Sequence, residues 1–162
     1  MVLNAPHLPA LDETVTGSSV EYVFGGKGGN QALAAARLGA SVAFAGCAGP
    51  DSFGDMIRTT LRQSGIDLSQ LQRDAGPSGM SAAIVDAQGE YGAVIVSAAN
   101  LHIHAAAIAV PVGTRVVLLQ NEIPQEVNRA SAQRRALRAL RSDSMPHQCA
   151  HCRRLSLTSS IW

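Results

Sequence analysis

The stretch Phe24-Gly25-Gly26-Lys27-Gly28-Gly29-Asn30-Gln31-Ala32 sets four glycines around the only lysine of a 162-residue chain, and an alanine-rich helical pattern follows at once. Glycine lets a backbone take positive φ or approach a ligand closely. A lone lysine inside such a turn therefore points to a small-molecule site between a strand and a helix. A purely structural tight turn is the plainer alternative. The spacing disfavours the common phosphate loops. A Walker A loop needs Ser or Thr directly after Gly-Lys, where this chain has Gly28, and a dinucleotide fingerprint begun at Gly26 needs glycine where Gln31 stands. No glycine occurs after Gly113, so the remaining residues cannot build a second loop of this kind.

On either side of this turn the pattern alternates between short β-leaning runs and helical ones. Residues 13–17 and 20–24 read as two short strands joined at Gly17-Ser18-Ser19. Residues 30–38 read as a helix closed by Gly39, and residues 41–46 as a buried strand. Ser52 with Asp55 three residues on resembles a capping box, and Phe53, Met56, Ile57, Thr60 and Leu61 then mark one helical face that ends at Gly65. Residues 80–85 and 91–96 form a hairpin pattern around Gly89. Residues 115–119 are a buried-strand candidate running into Gln120, Asn121, Glu122 and Pro124, and the carboxyl end of such a strand is where open α/β sheets place ligands. The fold class expected is α/β, with a parallel sheet, flanking helices and a separate small antiparallel sheet.

Composition bounds the rest. An apolar fraction of 46% and a net charge of +1 suit one ordinary globular domain and give no reason to expect nucleic acid or a membrane surface. No apolar run approaches the ~20 residues of a membrane span, and no signal peptide is read at the N-terminus. Cys47 in an apolar run and two tail cysteines fit a reducing cytoplasm better than a disulfide framework. Charge is uneven: residues 1–130 carry 7 basic and 11 acidic side chains, whereas residues 131–162 carry 6 arginines against Asp143 alone. Those arginines lack interleaved aromatics, so a nucleic-acid-binding tail is a weak alternative.

Two groups invite a metal and fit one poorly. His102 and His104 are without another evident ligand, and His147, Cys149, His151 and Cys152 are too cramped to wrap one tetrahedral ion. Asp51 precedes a helix and reads as a turn or capping residue before a ligand contact. Arg37 and Arg58 read as solvated helix charges.

Taken together, Gly25-Gly26-Lys27-Gly28-Gly29-Asn30-Gln31-Ala32, Ala35-Ala36-Arg37-Leu38-Gly39, Gly49-Pro50-Asp51-Ser52-Phe53-Gly54, Ser64-Gly65-Ile66-Asp67, Ser97-Ala98-Ala99-Asn100 and Leu119-Gln120-Asn121-Glu122-Ile123-Pro124 resemble the ribokinase (PfkB-type) family of carbohydrate kinases over about residues 2–130. The resemblance implies phosphoryl transfer from ATP to a ribose-like sugar. It implies sugar contacts by Gly25, Gly26, Lys27, Asn30 and Glu122, and a lid from residues 13–24 and 80–96 that closes over the sugar and pairs two subunits. ATP and Mg2+ are implied for the full-length family; no cofactor or metal site is expected of this chain.

Two departures qualify that expectation. The family's Gly-Ala-Gly-Asp loop, which supplies its anion hole and catalytic base, does not occur in these residues, so no catalytic residue is assigned and an activity by this chain alone is not expected. Met1 aligns just past the family's first strand, and Asn4 does not stand at its sugar-gripping position. Residues 131–162, rich in arginine and serine, read as a non-family tail, disordered or frameshifted. A non-catalytic sugar-binding or lid-dimerising module is the alternative function.

Overall fold

The computed structural model describes residues 1–142 and 154–158. They form two four-stranded sheets with helices against one of them. The central sheet is entirely parallel. It comprises β3 (Ser41–Ala48), β4 (Asp67–Arg73), β7 (Thr114–Leu118) and β8 (Arg154–Thr158), in the order β4-β3-β8-β7.

β3 is the hub because its sequence is apolar on both faces. Val42, Phe44 and Ala48 pack into one core with Ala32, Ile57, Leu61 and Ile66. Ala45 and Cys47, at the alternate positions, pack into a second core with Ala99, Ile103, Ile108, Ile123 and Val127. A strand covered on both sides needs a continuous apolar run, as this one has. The first core lies under α1 (Lys27–Arg37) and α2 (Ser52–Gln63). The second lies under the 3₁₀ turns Ala98–His102 and Ala105–Ala107 and under α3 (Gln125–Ser142).

Both leading helices end in the same manner. Gly39 N–H bonds to the Ala36 carbonyl and Ala40 N–H to Ala35; likewise Gly65 N–H bonds to Arg62 and Ile66 N–H to Leu61. These are paired Schellman closures, and in α2 the closure brings buried Ile66 against Leu61 in the core.

The second sheet has the order β2-β1-β5-β6, from β1 (Val2–Asn4), β2 (Ser19–Glu21), β5 (Met80–Val85) and β6 (Tyr91–Val96). The β5–β6 hairpin forms as its sequence pattern implies, with Gly89 in the turn and Asp86 Oδ1 accepting from the Gln88 and Glu90 N–H groups. The first hairpin does not. Residues 13–17 are irregular, and β2 pairs with β1, which also pairs in parallel with β5. One strand between two neighbours satisfies both edges of its ladder, which a local hairpin of 13–17 with 20–24 would not do.

Other features differ from the sequence reading or go beyond it. α1 begins at Lys27 instead of residue 30, inside the glycine run. β4 was not expected, because its polar Gln70 and Gln72 mask a strand pattern. Gln72 brackets the backbone of His104, donating to its carbonyl and accepting from its N–H, and Gln70 accepts from Ala109 N–H. Finally, helix α3 crosses position 130 without a break to Ser142, and β8 enters the sheet between β3 and β7. Over residues 131–142 and 154–158 the chain is helix and strand, and β8 supplies a ladder partner to both β3 and β7. His147, Cys149, His151 and Cys152 lie outside the described residues.

Candidate functional site

The glycine run does its work at the start of α1. Gly26 takes φ 89° and ψ 137° as the residue before the helix, a backbone state that favours glycine. No N-cap side chain bonds to this helix end, and no acidic residue lies in its first turn. Gly28 and Gly29 are buried, and a Cβ on Gly29 would lie 2.6 Å from the Phe24 ring, so the run also lets Phe24, in the irregular segment before α1, pack under the helix.

Lys27, the first residue of α1, reaches across to Glu122, with Nζ 2.5 Å from Oε1. Glu122 stands in the turn after β7, ahead of Pro124 and α3, slightly beyond the strand end that its sequence implies. The lysine side chain is 62% exposed and the carboxylate 25%. A cation and an anion thus meet at the carboxyl side of the parallel sheet, beside the first turn of α1. Such a pair offers donors and an acceptor to a polyhydroxylated ligand.

Of the residues singled out in the sequence, Lys27 and Glu122 come together, and Gly25 and Gly26 directly precede Lys27 in the chain. Asn30 lies one turn along, exposed, with its backbone N–H bonded to the Gly26 carbonyl. Sequence reasoning missed a second bridge beside the first. Gln120 Nε2 donates to Gln31 Oε1 at 2.7 Å, and Asn128 Nδ2 donates to the Gln120 carbonyl at 2.7 Å. A signal was available, since Gln31 is four residues after Lys27 and so shares its helix face.

Asp51 acts as a clasp, in line with its turn reading. It caps α2, although the expected cap was Ser52: its Oδ1 accepts from Gly54 N–H at 2.8 Å and from Ser78 Oγ at 2.6 Å, while Oδ2 accepts from Ser78 N–H at 2.8 Å. Partial desolvation pushes this carboxyl up, but the Ser78 and Gly54 hydrogen bonds together outweigh it and hold it below its ordinary value of 3.8.

The pH consequence follows from that sign. The unfolded carboxyl takes its proton first, so the stabilisation is complete above 3.8 and is lost as pH falls through the lower folded value. Asp51→Asn should cost about 1–2 kcal/mol near neutrality, since an amide cannot accept both Ser78 bonds. Urea unfolding midpoints of the two proteins should converge as pH falls below the ordinary carboxyl value of 3.8 and through the lower folded one. A gap of constant size across that range would show that the carboxylate charge contributes nothing.

Two charged residues are corrected here. Arg58 is not a solvated helix charge: its side chain is 11% exposed and its Nη2 donates to the Ala48 and Gly49 carbonyls at 3.3 and 2.8 Å, tying α2 to the end of β3. His102 is not alone: its Nδ1 lies 2.6 Å from Asp74 Oδ2, and that contact is the main reason the Asp74 carboxyl is lowered. Among the described residues no group of three His, Cys, Asp or Glu side chains is placed to hold a metal ion, and no helix is long and apolar enough to cross a membrane.

Comparison with known proteins identifies the family and the fold. The family model described as pfkB family carbohydrate kinase matches residues 2–151, and the chain belongs to that family. It is similar to the ribokinase of Bacillus subtilis, 38% identical over 130 residues, which cover 78% of this chain and 44% of that protein. Its fold matches the crystal structure of ribokinase from Thermotoga maritima with a TM-score of 0.74 and 30% identity, over 82% of this chain and 45% of that one. The structure of Arabidopsis thaliana ribokinase complexed with ribose and ATP matches with a TM-score of 0.66 and 25% identity, covering 82% and 45% respectively. The chain therefore spans less than half the length of these relatives.

Proposed function

We propose that this chain is the acceptor-holding part of a ribokinase-like carbohydrate kinase, binding a ribose-like sugar at the Lys27–Glu122 pair. The observation that carries this reading is the meeting of the only lysine, in its glycine turn, with a carboxylate 95 positions away. A sugar hydroxyl can donate to the Glu122 carboxylate and accept from the Lys27 ammonium, with Gly25, Gly26 and Asn30 completing the contacts. An ion pair this exposed is worth only about 0–1 kcal/mol, so hydroxyls can replace its internal bond at little cost. Hydrogen bonds to charged groups then return about 1.5–3 kcal/mol each.

Family similarity and the ribose- and ATP-bound Arabidopsis relative support the same assignment. The donor, ATP with its Mg2+, would be held by residues that these 162 do not include, and no step is assigned to a base here because no Gly-Ala-Gly-Asp occurs among them. Exposed Tyr91, Val94 and Val96 on β6 support pairing of two copies through the second sheet. A cytoplasmic location belongs to the same reading.

Isothermal titration of ribose tests it. Wild-type protein should bind, and Lys27→Ala or Glu122→Gln should weaken binding about 10- to 100-fold, the loss of one charge-assisted bond. A coupled assay with ATP and ribose should give no turnover above the Lys27→Ala control. Equal ribose binding by both variants and wild type would remove the sugar from this site, and phosphate transfer by the chain unaided would overturn the assignment of transfer chemistry to other residues.

A further inference from the structure

We infer that Gln31 and Gln120 are positioning residues that hold Lys27 and Glu122 in register while the latter two exchange each other for a ligand. The inference rests on the sugar-binding reading only for the identity of that ligand. Two bridges join α1 to the turn after β7, and they differ in character. The outer one is charged and exposed on its lysine side. The inner one is neutral: Gln120 Nε2 to Gln31 Oε1 at 2.7 Å, with Gln120 only 9% exposed. Gln31 follows Lys27 by one helical turn, and Gln120 precedes Glu122 by two residues, so the inner bridge runs alongside the outer one.

The two must behave differently when a polyhydroxylated molecule arrives. The exposed ion pair is weak and readily swaps partners. A shielded amide–amide bond has no competing water on the Gln120 side and is independent of salt and of ordinary pH. If the ion pair alone held the turn, opening it would release the carboxylate from the lysine just when both are needed. With the glutamines bonded, Glu122 stays near the start of α1.

A third contact fixes the arrangement. Asn128 Nδ2 donates to the Gln120 carbonyl at 2.7 Å, gripping the backbone of the same residue whose side chain holds Gln31. The opposite end of that amide, Asn128 Oδ1, is buried without a hydrogen-bond partner among the described residues. Leaving an acceptor unpaired is costly. The Asn128 amide is therefore oriented by its donor, toward Gln120.

Because Lys27 is the only lysine, a protein carrying ε-carbon-labelled lysine gives one side-chain resonance that reports the ion pair directly. The full chain would be examined as wild type, Gln31→Met, Gln120→Met and the double variant, with Glu122→Gln marking the position of the broken pair. Gln31→Met should move the Lys27 resonance toward that mark, leave the melting temperature within a few degrees, and raise the ribose concentration for half-saturation at least tenfold. The double variant should add little to either single one.

A Lys27 resonance that stays at its wild-type position in Gln31→Met would overturn the inference, whatever ribose does. Gln31 is exposed, so this variant decides the matter even where Gln120→Met fails to fold. A wild-type resonance deaf to ribose, combined with a shift in Gln31→Met, would uphold the positioning role and reject the sugar.

Discussion

A chain stopped after Arg153 is expected to lose its cooperative unfolding transition. Strand β8 pairs with β3 at five positions from Ser41 to Ala45, and with β7 at four from Thr114 to Leu118. Among the described residues it is the only strand joining the two. Without it, the β3 backbone loses its ladder on one side while β4 keeps the other, and β7 is left with α3 as its main support. Each buried backbone group left unpaired costs about 1–3 kcal/mol. Several such groups together exceed the ~5–15 kcal/mol by which a domain of this size is stable. Thermal melts followed by circular dichroism on chains 1–153 and 1–162 should therefore differ in kind, with a sigmoid only in the longer. Equal midpoints would mean that β8 contributes nothing to the sheet.

The second large effect is expected at Gly54. A Cβ added there would lie 2.1 Å from the Gly49 carbonyl oxygen, 2.8 Å from Arg58 Nη1 and 3.0 Å from Ser78 Oγ. The first of these atoms is backbone, so relief requires moving the chain between β3 and α2. That chain is pinned: Gly49 N–H donates to Ser78 Oγ, Asp51 accepts from Gly54 and Ser78, and Arg58 donates to the Gly49 carbonyl. Overpacking a tight site costs about 1–3 kcal/mol and occasionally more. Gly54→Ala should reach or pass the upper end, because it also disturbs the Asp51 clasp. Urea denaturation would register a fall in midpoint with an unchanged slope. A loss below about 1 kcal/mol would show that the turn yields more readily than its hydrogen bonds imply.

The core strand and the helix ends were readable because their causes are local. The run from Ser41 is apolar at successive positions, and Gly39 and Gly65 stand where a helix must close. The β5–β6 hairpin was equally plain from Gly89 between two β-rich runs. What escaped sequence reasoning depended on partners far away in the chain. Gln70 and Gln72 carry no strand pattern, yet they bond the backbone of His104 and Ala109 from an edge strand. Arg58 looked like a solvated charge until two carbonyls at the end of β3 were found against it. Leu155 and Leu157 alternate with polar residues over only five positions, too short a run to stand out from the arginine- and serine-rich stretch around it.

For the site, the turn and its lysine could be named from sequence, and so could the carboxylate after the late strand. Glycine spacing and residue type carry that information by themselves, because close backbone approach and a single cation are local properties. Their separation of 2.5 Å, and the glutamine bridge beside it, could not be read that way. Those contacts join segments about 90 residues apart. Only the packing of α1 and the post-β7 turn against one parallel sheet decides which side chains meet.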